Sequence, residues 1–299
     1  MNQVTVTIPA TSANLGPGFD CLGLALALYN KITFTAVSAP TLIIEISGID
    51  AAKLPTDESN LVYQSACRVF DLLGKRPSGL HIQQENNILV GSGLGSSATA
   101  VLGGLLAANA LVDGSLSQSE ILEMATALEG HPDNVAPALF GGLVLGLMDG
   151  ETVHIEQLPI AQQQVAVILP DFELSTRAAR AALPAQISRQ DAVFNASRLG
   201  LLIRALETAA YAKLPLAMQD KLHQPYRLPL IPGMGDAFKA AYAAGAAGVA
   251  LSGAGPSLIA FAADGHAKIV EGVTAVFSQN HLTSRSWILP IDTSGSQLT

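Results

Sequence analysis

The run Gly91-Ser92-Gly93-Leu94-Gly95-Ser96-Ser97-Ala98 sets three glycines at alternate positions ahead of two serines, with no lysine or arginine. Glycines allow positive φ and let a ligand approach the backbone closely. Successive amides leading into a helix start make a concave anion nest with the helix dipole behind it. The serines can cap that helix, and one hydroxyl can face a metal-bound phosphate. No Gly-Lys-Ser/Thr ends the run, so it is not a Walker A loop. No acidic residue follows a strand about 20 residues on, so it is not a dinucleotide fingerprint either. Taken alone, the run also suits a helix start that merely packs tightly.

A phosphate site of this kind wants a carboxylate for its metal, and Glu123 and Glu129 compete. On a helix from Ser119, the residues Ile121, Met124, Ala125 and Leu128 form one apolar stripe. Glu123 falls opposite the stripe, on the face that suits solvent, and Glu129 on its flank, just before Gly130. The six histidines (His81, His131, His154, His223, His266, His281) show no close metal-ligand spacing. Cys21 and Cys67, the only cysteines, exclude a disulfide framework and a cysteine zinc site, and read as reduced thiols.

Charge divides unevenly along the 299 residues. Residues 1–150 hold 5 Lys/Arg against 13 Asp/Glu, whereas residues 151–299 hold 11 of each. An anion bound in the first half must therefore rest on backbone amides or a metal, and cations for an acidic substrate must come from the second half. The net charge of −8 argues against nucleic acid or an anionic membrane as partner. Two long uncharged stretches, 86–112 and 240–263, are interrupted by glycine clusters, and the second also by Pro256. Neither is expected to span a membrane. No secretory signal is visible, and a cytoplasmic location is expected.

The elements that must position these residues follow from pattern. Val4, Val6 and Ile8 alternate in a strand ending at Pro9, and a glycine-rich turn spans Asn14 to Asp20 before the apolar run 21–29. Strands are expected at 32–37, 42–46, around Ile82 and at 141–148. Helices are expected at 60–73 (capped by Ser59 or Asn60, stopped at Gly74), 98–112 and 119–128. After residue 160 the reading is strand 165–169, helices 175–183, 192–211 and 236–244, and strands 248–251 and 257–261. Ser294 to Thr299 reads as a frayed tail. Strands and helices interleave without a regular β-α-β rhythm, so the fold class is α+β with two lobes, 1–160 and 161–299.

Three segments stand in order: Pro9-Ala10-Thr11-Ser12-Ala13-Asn14-Leu15-Gly16-Pro17-Gly18-Phe19-Asp20, the glycine-rich run, and Leu251-Ser252-Gly253-Ala254-Gly255-Pro256-Ser257. Together they resemble the GHMP small-molecule kinases. His131-Pro132-Asp133-Asn134-Val135-Ala136-Pro137 and His223-Gln224-Pro225-Tyr226-Arg227 are similar to motifs of the branch whose acceptor is the amino acid L-homoserine. The resemblance runs from residue 4 to about 260. One departure is that no proline stands in Ile88-Leu89-Val90, just before the glycine run.

The resemblance implies an amino-terminal ribosomal-protein-S5-like lobe that binds ATP and a carboxy-terminal ferredoxin-like lobe. It implies Mg²⁺·ATP-dependent phosphorylation of L-homoserine to O-phospho-L-homoserine, toward threonine, by a homodimer. The amides of the run Gly91, Ser92, Gly93, Leu94, Gly95, Ser96, Ser97 and Ala98 would hold ATP, and Ser97 with Glu129 would hold Mg²⁺. Asn14, Asp20, Asn134, Arg180 and Arg227 would hold the amino acid, Asp20 on the ammonium and the arginines on the carboxylate. Asp133 is the nearest candidate for a general base; the alternative is none, with the phosphate or a polar side chain such as Asn134 assisting the hydroxyl. Two other readings are a kinase of a neutral alcohol, which would not require two carboxylate-binding arginines, and a nucleotide sensor that performs no transfer.

Overall fold

Alternation at Val4, Val6 and Ile8 makes the expected strand, with all three side chains buried. The computed structural model describes residues 2–299. In it β1 spans Gln3–Asn14 and so continues past Pro9, where the strand was expected to end. A register shift after Pro9 accommodates the proline, and every residue from Pro9 to Asn14 is buried. The apolar run and the strand expected after it are one 20-residue strand, β2 (Gly18–Val37).

Strands β3 (Leu42–Gly48), β4 (Gly79–Asn86), β5 (Leu143–Asp149) and β6 (Thr152–Leu158) complete most of the first sheet. β2 is its spine: it pairs with β1 on one side, and on the other with β4 through Lys31–Val37 and with β5 through Leu22–Leu24. β3 lies parallel to β4, and β6 closes the edge beyond β5.

Helices α1 (Leu61–Leu73), α2 (Ser96–Leu111), α3 (Gln118–Glu129) and α4 (Pro132–Phe140) share one apolar core with β1, β2 and β4. Asn60 caps α1 by accepting from the amides of Val62 and Tyr63, and Gly74 ends it at φ 61°. A reciprocal Ser117–Glu120 capping box starts α3 two residues before the expected Ser119 region, leaving Glu129 as its last residue. α4 has no counterpart among the expected helices. Pro132 at its first turn and Gly141 after its end mark it locally, but Pro137 inside nine residues interrupts the pattern.

The second sheet holds β7 (Gln164–Pro170), β8 (Gly248–Leu251), β9 (Leu258–Phe261) and β10 (Ser284–Pro290) in the antiparallel order β10-β7-β9-β8. With it come α5 (Thr176–Ala181), α6 (Arg189–Glu207), α7 (Leu214–Ala217), α8 (Gln224–Arg227), α9 (Met234–Ala243) and α10 (His266–Gln279). Neither α10 nor β10 was expected. In α10 the signal is Ile269, Val273 and Phe277, four apart and all buried.

The tail is not frayed. β11 (Gln297–Leu298) pairs with Val6 and Thr7 of β1, and Gly295 and Ser296 pack against the end of α4. A further core joins the lobes, bringing Leu22, Leu24, Leu94 and Leu143 against Val165, Leu206, Met218 and Phe261. Among the described residues no helix is long and apolar enough to cross a membrane.

Candidate active site

The glycine-rich run is seated between the lobes by backbone contacts. Gly93 lies at φ 80°, and a Cβ there would stand 2.3 Å from the Ser252 carbonyl oxygen, so no side chain fits. Ser252 donates its hydroxyl to Gly93 O at 2.6 Å, and Ser257 N donates to Ser92 O at 3.2 Å. Thr11 N donates to Leu94 O at 3.1 Å, and Gly253 N to Ala13 O at 3.0 Å. These bonds draw the amino-terminal turn, the run and the Leu251–Ser257 turn to one place.

The serines do not cap α2, contrary to expectation. Gly95 at φ 72° is the N-cap residue, with no side-chain bond, and Ser96 and Ser97 lie within the helix. The glycine has no side chain to offer, so the first-turn amides stay open toward the cavity, where an anion can satisfy them and the dipole favours it. Leu94 and Ala98 are fully buried in the core, so within the run only their backbone could serve a ligand.

Ser97 Oγ donates to Glu129 Oε1 at 2.5 Å. The end of α3 thus brings a carboxylate to the start of α2, whereas Glu123 is exposed on the far face, away from the cavity. Burial pushes the Glu129 carboxyl above its ordinary range, against the Ser97 bond and nearby His131, which lower it. A hydroxyl and a carboxylate are hard oxygen donors of the kind that Mg²⁺ takes.

At the other end of the cavity Arg180, on α5, grips Asp20 with two bonds of 2.8 and 3.0 Å. Asp20 was expected to face an ammonium and Arg180 a carboxylate; here each meets the other. Asn14, at φ 71°, joins two turns through its amide: Nδ2 donates to Gly253 O at 2.8 Å, and Oδ1 accepts from Asp20 N at 2.9 Å within its own turn.

Arg227 is 2% exposed, and burial lowers its pKa, though a guanidinium stays charged. It donates to Ala179 O, to Gly253 O and to His223 Nδ1. Arginine has no acceptor to offer, so His223 Nδ1 accepts and its Nε2–H donates to Gly16 O at 2.9 Å. His223 is therefore neutral, as burial also favours. It stacks on Phe19 with ring centroids 5.1 Å apart, and both arginines lie over that ring, at 5.8 and 5.2 Å. The amides of His223 and Gln224 and the side chain of Asn195 donate to the Asp220 carboxylate, which fixes the segment.

His131 Nδ1 pairs closely with Asp133, a buried carboxylate at the start of α4, which holds the imidazole pKa above 6.5. Asn134 follows and lines the same cavity, of about 350 Å³, with Asn14, Asp20, Gly91, Ser92, Gly93, Gly95, Ser96, Ser97, Glu129, Arg180 and Arg227. His131 and Thr176, neither of them among the expected site residues, line it too. Beyond the run lies a second cavity, of about 270 Å³, lined by Leu54, Pro55, Asn60, Leu61, Val62 and Ala100 and reaching Gly91, Ser96 and Ser97. An apolar slot contiguous with an anion nest suits a nucleoside joined to phosphates.

Known proteins resemble this chain over nearly its whole length. Residues 60–142 match the family model of the GHMP kinases N terminal domain, and residues 199–279 that of the GHMP kinases C terminal. A homoserine kinase of Nostoc punctiforme is 47% identical over 299 residues, covering 99% of this chain and 98% of that protein. One from Moorella thermoacetica is 46% identical over 275 residues, 92% of each chain. The crystal structure of homoserine kinase from Cytophaga hutchinsonii superposes with a TM-score of 0.90 at 32% identity, over 100% of this chain and 98% of that one. A Leishmania major mevalonate kinase, at 19% identity and TM-score 0.74 over 96% of each chain, shares the fold.

Proposed function

We propose that this chain, which belongs to the GHMP kinase family, transfers the γ-phosphoryl group of ATP to the side-chain hydroxyl of L-homoserine, yielding O-phospho-L-homoserine and ADP. The observation that carries this reading is the sharing of one cavity by an uncapped helix start and an Asp20–Arg180 ion pair. The first suits a triphosphate, and the second offers the two charges that complement an amino-acid zwitterion. Relatives at 46–51% identity named homoserine kinase support the choice of acceptor.

Residues 1–160 supply the nucleotide elements and residues 161–299 the arginines. Adenosine takes the apolar slot beside Asn60–Val62, and the triphosphate lies along the amides of Gly93 to Ser97. Ser97 and Glu129 would hold Mg²⁺, which when bound shields charge on the phosphates. The zwitterion exchanges into the existing pair, ammonium on Asp20 and carboxylate on Arg180, so neither residue loses an opposite charge. Arg227, at the buried edge of the cavity, adds positive potential toward the carboxylate and holds Gly253 O, to which Asn14 also donates. Asn134, at the start of α4, meets the acceptor hydroxyl. Asp133 is committed to His131, and we assign no general base to it. Positioning and charge stabilisation then carry the transfer.

The test is ADP release with MgATP against L-homoserine, mevalonate, galactose, L-serine and buffer. Turnover with homoserine alone is the expected result. Turnover with a neutral alcohol instead would overturn the assignment of Asp20 and Arg180.

A further inference from the structure

An asparagine offers an acceptor hydroxyl either an oxygen or an N–H, and which one it presents decides what it can do. Thr11 settles this for Asn134. The threonine is fully buried in β1, and its hydroxyl donates to Asn134 Oδ1 at 2.8 Å. Were the amide turned over, Thr11 Oγ1 would accept from Nδ2, and the Thr11 proton would lose the Oδ1 acceptor it now has. The amide oxygen would then also stand where Nδ2 now lies, 3.5 Å from the Asp133 carboxylate, acceptor against acceptor. Both changes raise the energy, because a buried donor without a partner is costly. Gly95 roofs the bond: a Cβ there would fall 2.1 Å from Thr11 Oγ1 and 3.3 Å from Asn134 Oδ1. The phosphate loop, β1 and α4 thus meet at this one hydrogen bond.

We propose that Thr11 is a positioning residue whose hydroxyl fixes the Asn134 amide, so that the acceptor hydroxyl meets an N–H donor there. The identity of that acceptor rests on the function proposed above; the orientation of the amide does not. Asn134 then donates to a lone pair of the substrate oxygen and turns it toward the phosphate; the hydroxyl proton passes to an oxygen of the transferred phosphoryl group and not to Asn134. Thr11 itself touches no reacting atom.

Thr11→Val keeps the shape and removes the hydroxyl, and Thr11→Ser restores it. With homoserine and ATP, T11V is expected to lower kcat about 10- to 100-fold, the order of a lost hydrogen bond and a misplaced contact, with KM for ATP within about twofold. T11S should recover most of that loss, and T11V should add nothing in an Asn134→Ala background. Wild-type kcat in T11V, equal impairment in T11S, or additive losses with N134A would each overturn the proposal. A neutron structure of the wild-type protein reads the amide without any reaction. Nitrogen away from Thr11 is expected, and nitrogen toward it would overturn the proposal even if T11V fails to fold. Wild type inactive on homoserine would sink the acceptor assignment instead, while the neutron map still judges the amide.

Discussion

Arg180 and Asp20 lie 160 residues apart in sequence and form a part-exposed ion pair that a zwitterion can replace contact for contact. Arg180→Ala is therefore expected to raise KM for the amino acid at least about tenfold, the order of a lost charged hydrogen bond, while KM for ATP stays within about twofold. Equal weakening toward both substrates in steady-state kinetics would remove Arg180 from the acceptor end. Glu129 carries a prediction of a different kind. Its carboxyl is raised by burial, so the folded state binds that proton more tightly than the unfolded one. Its contribution to stability is full below the ordinary carboxylate range and is lost as pH rises through the raised value. Glu129→Gln should thus melt no lower than wild type at pH 7 in chelator, and relatively lower in acid, while its kcat collapses. Near-normal turnover would move the metal role away from Glu129. At this scale the sequence distinguishes Glu129 from Glu123 by helical phase, because one residue turns the face by a set angle. It does not show that the Asn14 amide ties its turn to the Leu251–Ser257 turn, because Gly253, its acceptor, is 239 residues away.

Among the elements, α2 depends on glycine as much as the loop before it does. A Cβ at Gly104 would stand 2.3 Å from the Val62 carbonyl oxygen of α1, so the two helices approach backbone to backbone. Gly104→Ala is expected to destabilise by roughly 1–3 kcal/mol through overpacking. Calorimetry should show a melting point lower by several degrees, and an unchanged value would mean that α1 shifts freely. α1 was legible because its cap and stop, Asn60 and Gly74, flank it in sequence, whereas α3 was expected from Ser119 and starts earlier, at the Ser117 capping box. α4 was not, since Pro137 breaks its periodicity and tertiary contacts hold it. Its carboxy-terminal end is bound by the returning tail through Ser296 to Ala138 O and Ser296 N to Leu139 O. Asp292 accepts from Tyr29 and from the amides of Ser294 and Gly295, which bends the chain into that position.

For the molecule as a whole, the tail makes the first sheet depend on the last residues of the chain. Truncation after Pro290 removes β11 and the anchors of α4, which carries Asp133 and Asn134 at its other end. It is expected to lower the melting temperature by at least about 5 °C, given roughly 2–4 °C per kcal/mol for chains of this size. It should lower kcat more than it alters KM for ATP. A truncated protein of full stability and turnover would show that α4 needs no strap. The sequence by itself determined the two-lobed α+β class, the positive-φ glycines at 91, 93 and 95, the flank position of Glu129 and the excess of arginines in the second half. Each of these follows from residue type and short-range spacing, which fix local backbone freedom, helical phase and charge. Only the tertiary structure decided that Ser97 meets Glu129, that Asp20 grips Arg180, that Thr11 orients Asn134 and that the tail is a strand. Those pairings join segments 32, 160, 123 and about 290 residues apart. Packing of the shared core between the lobes brings them together, and no local propensity records it.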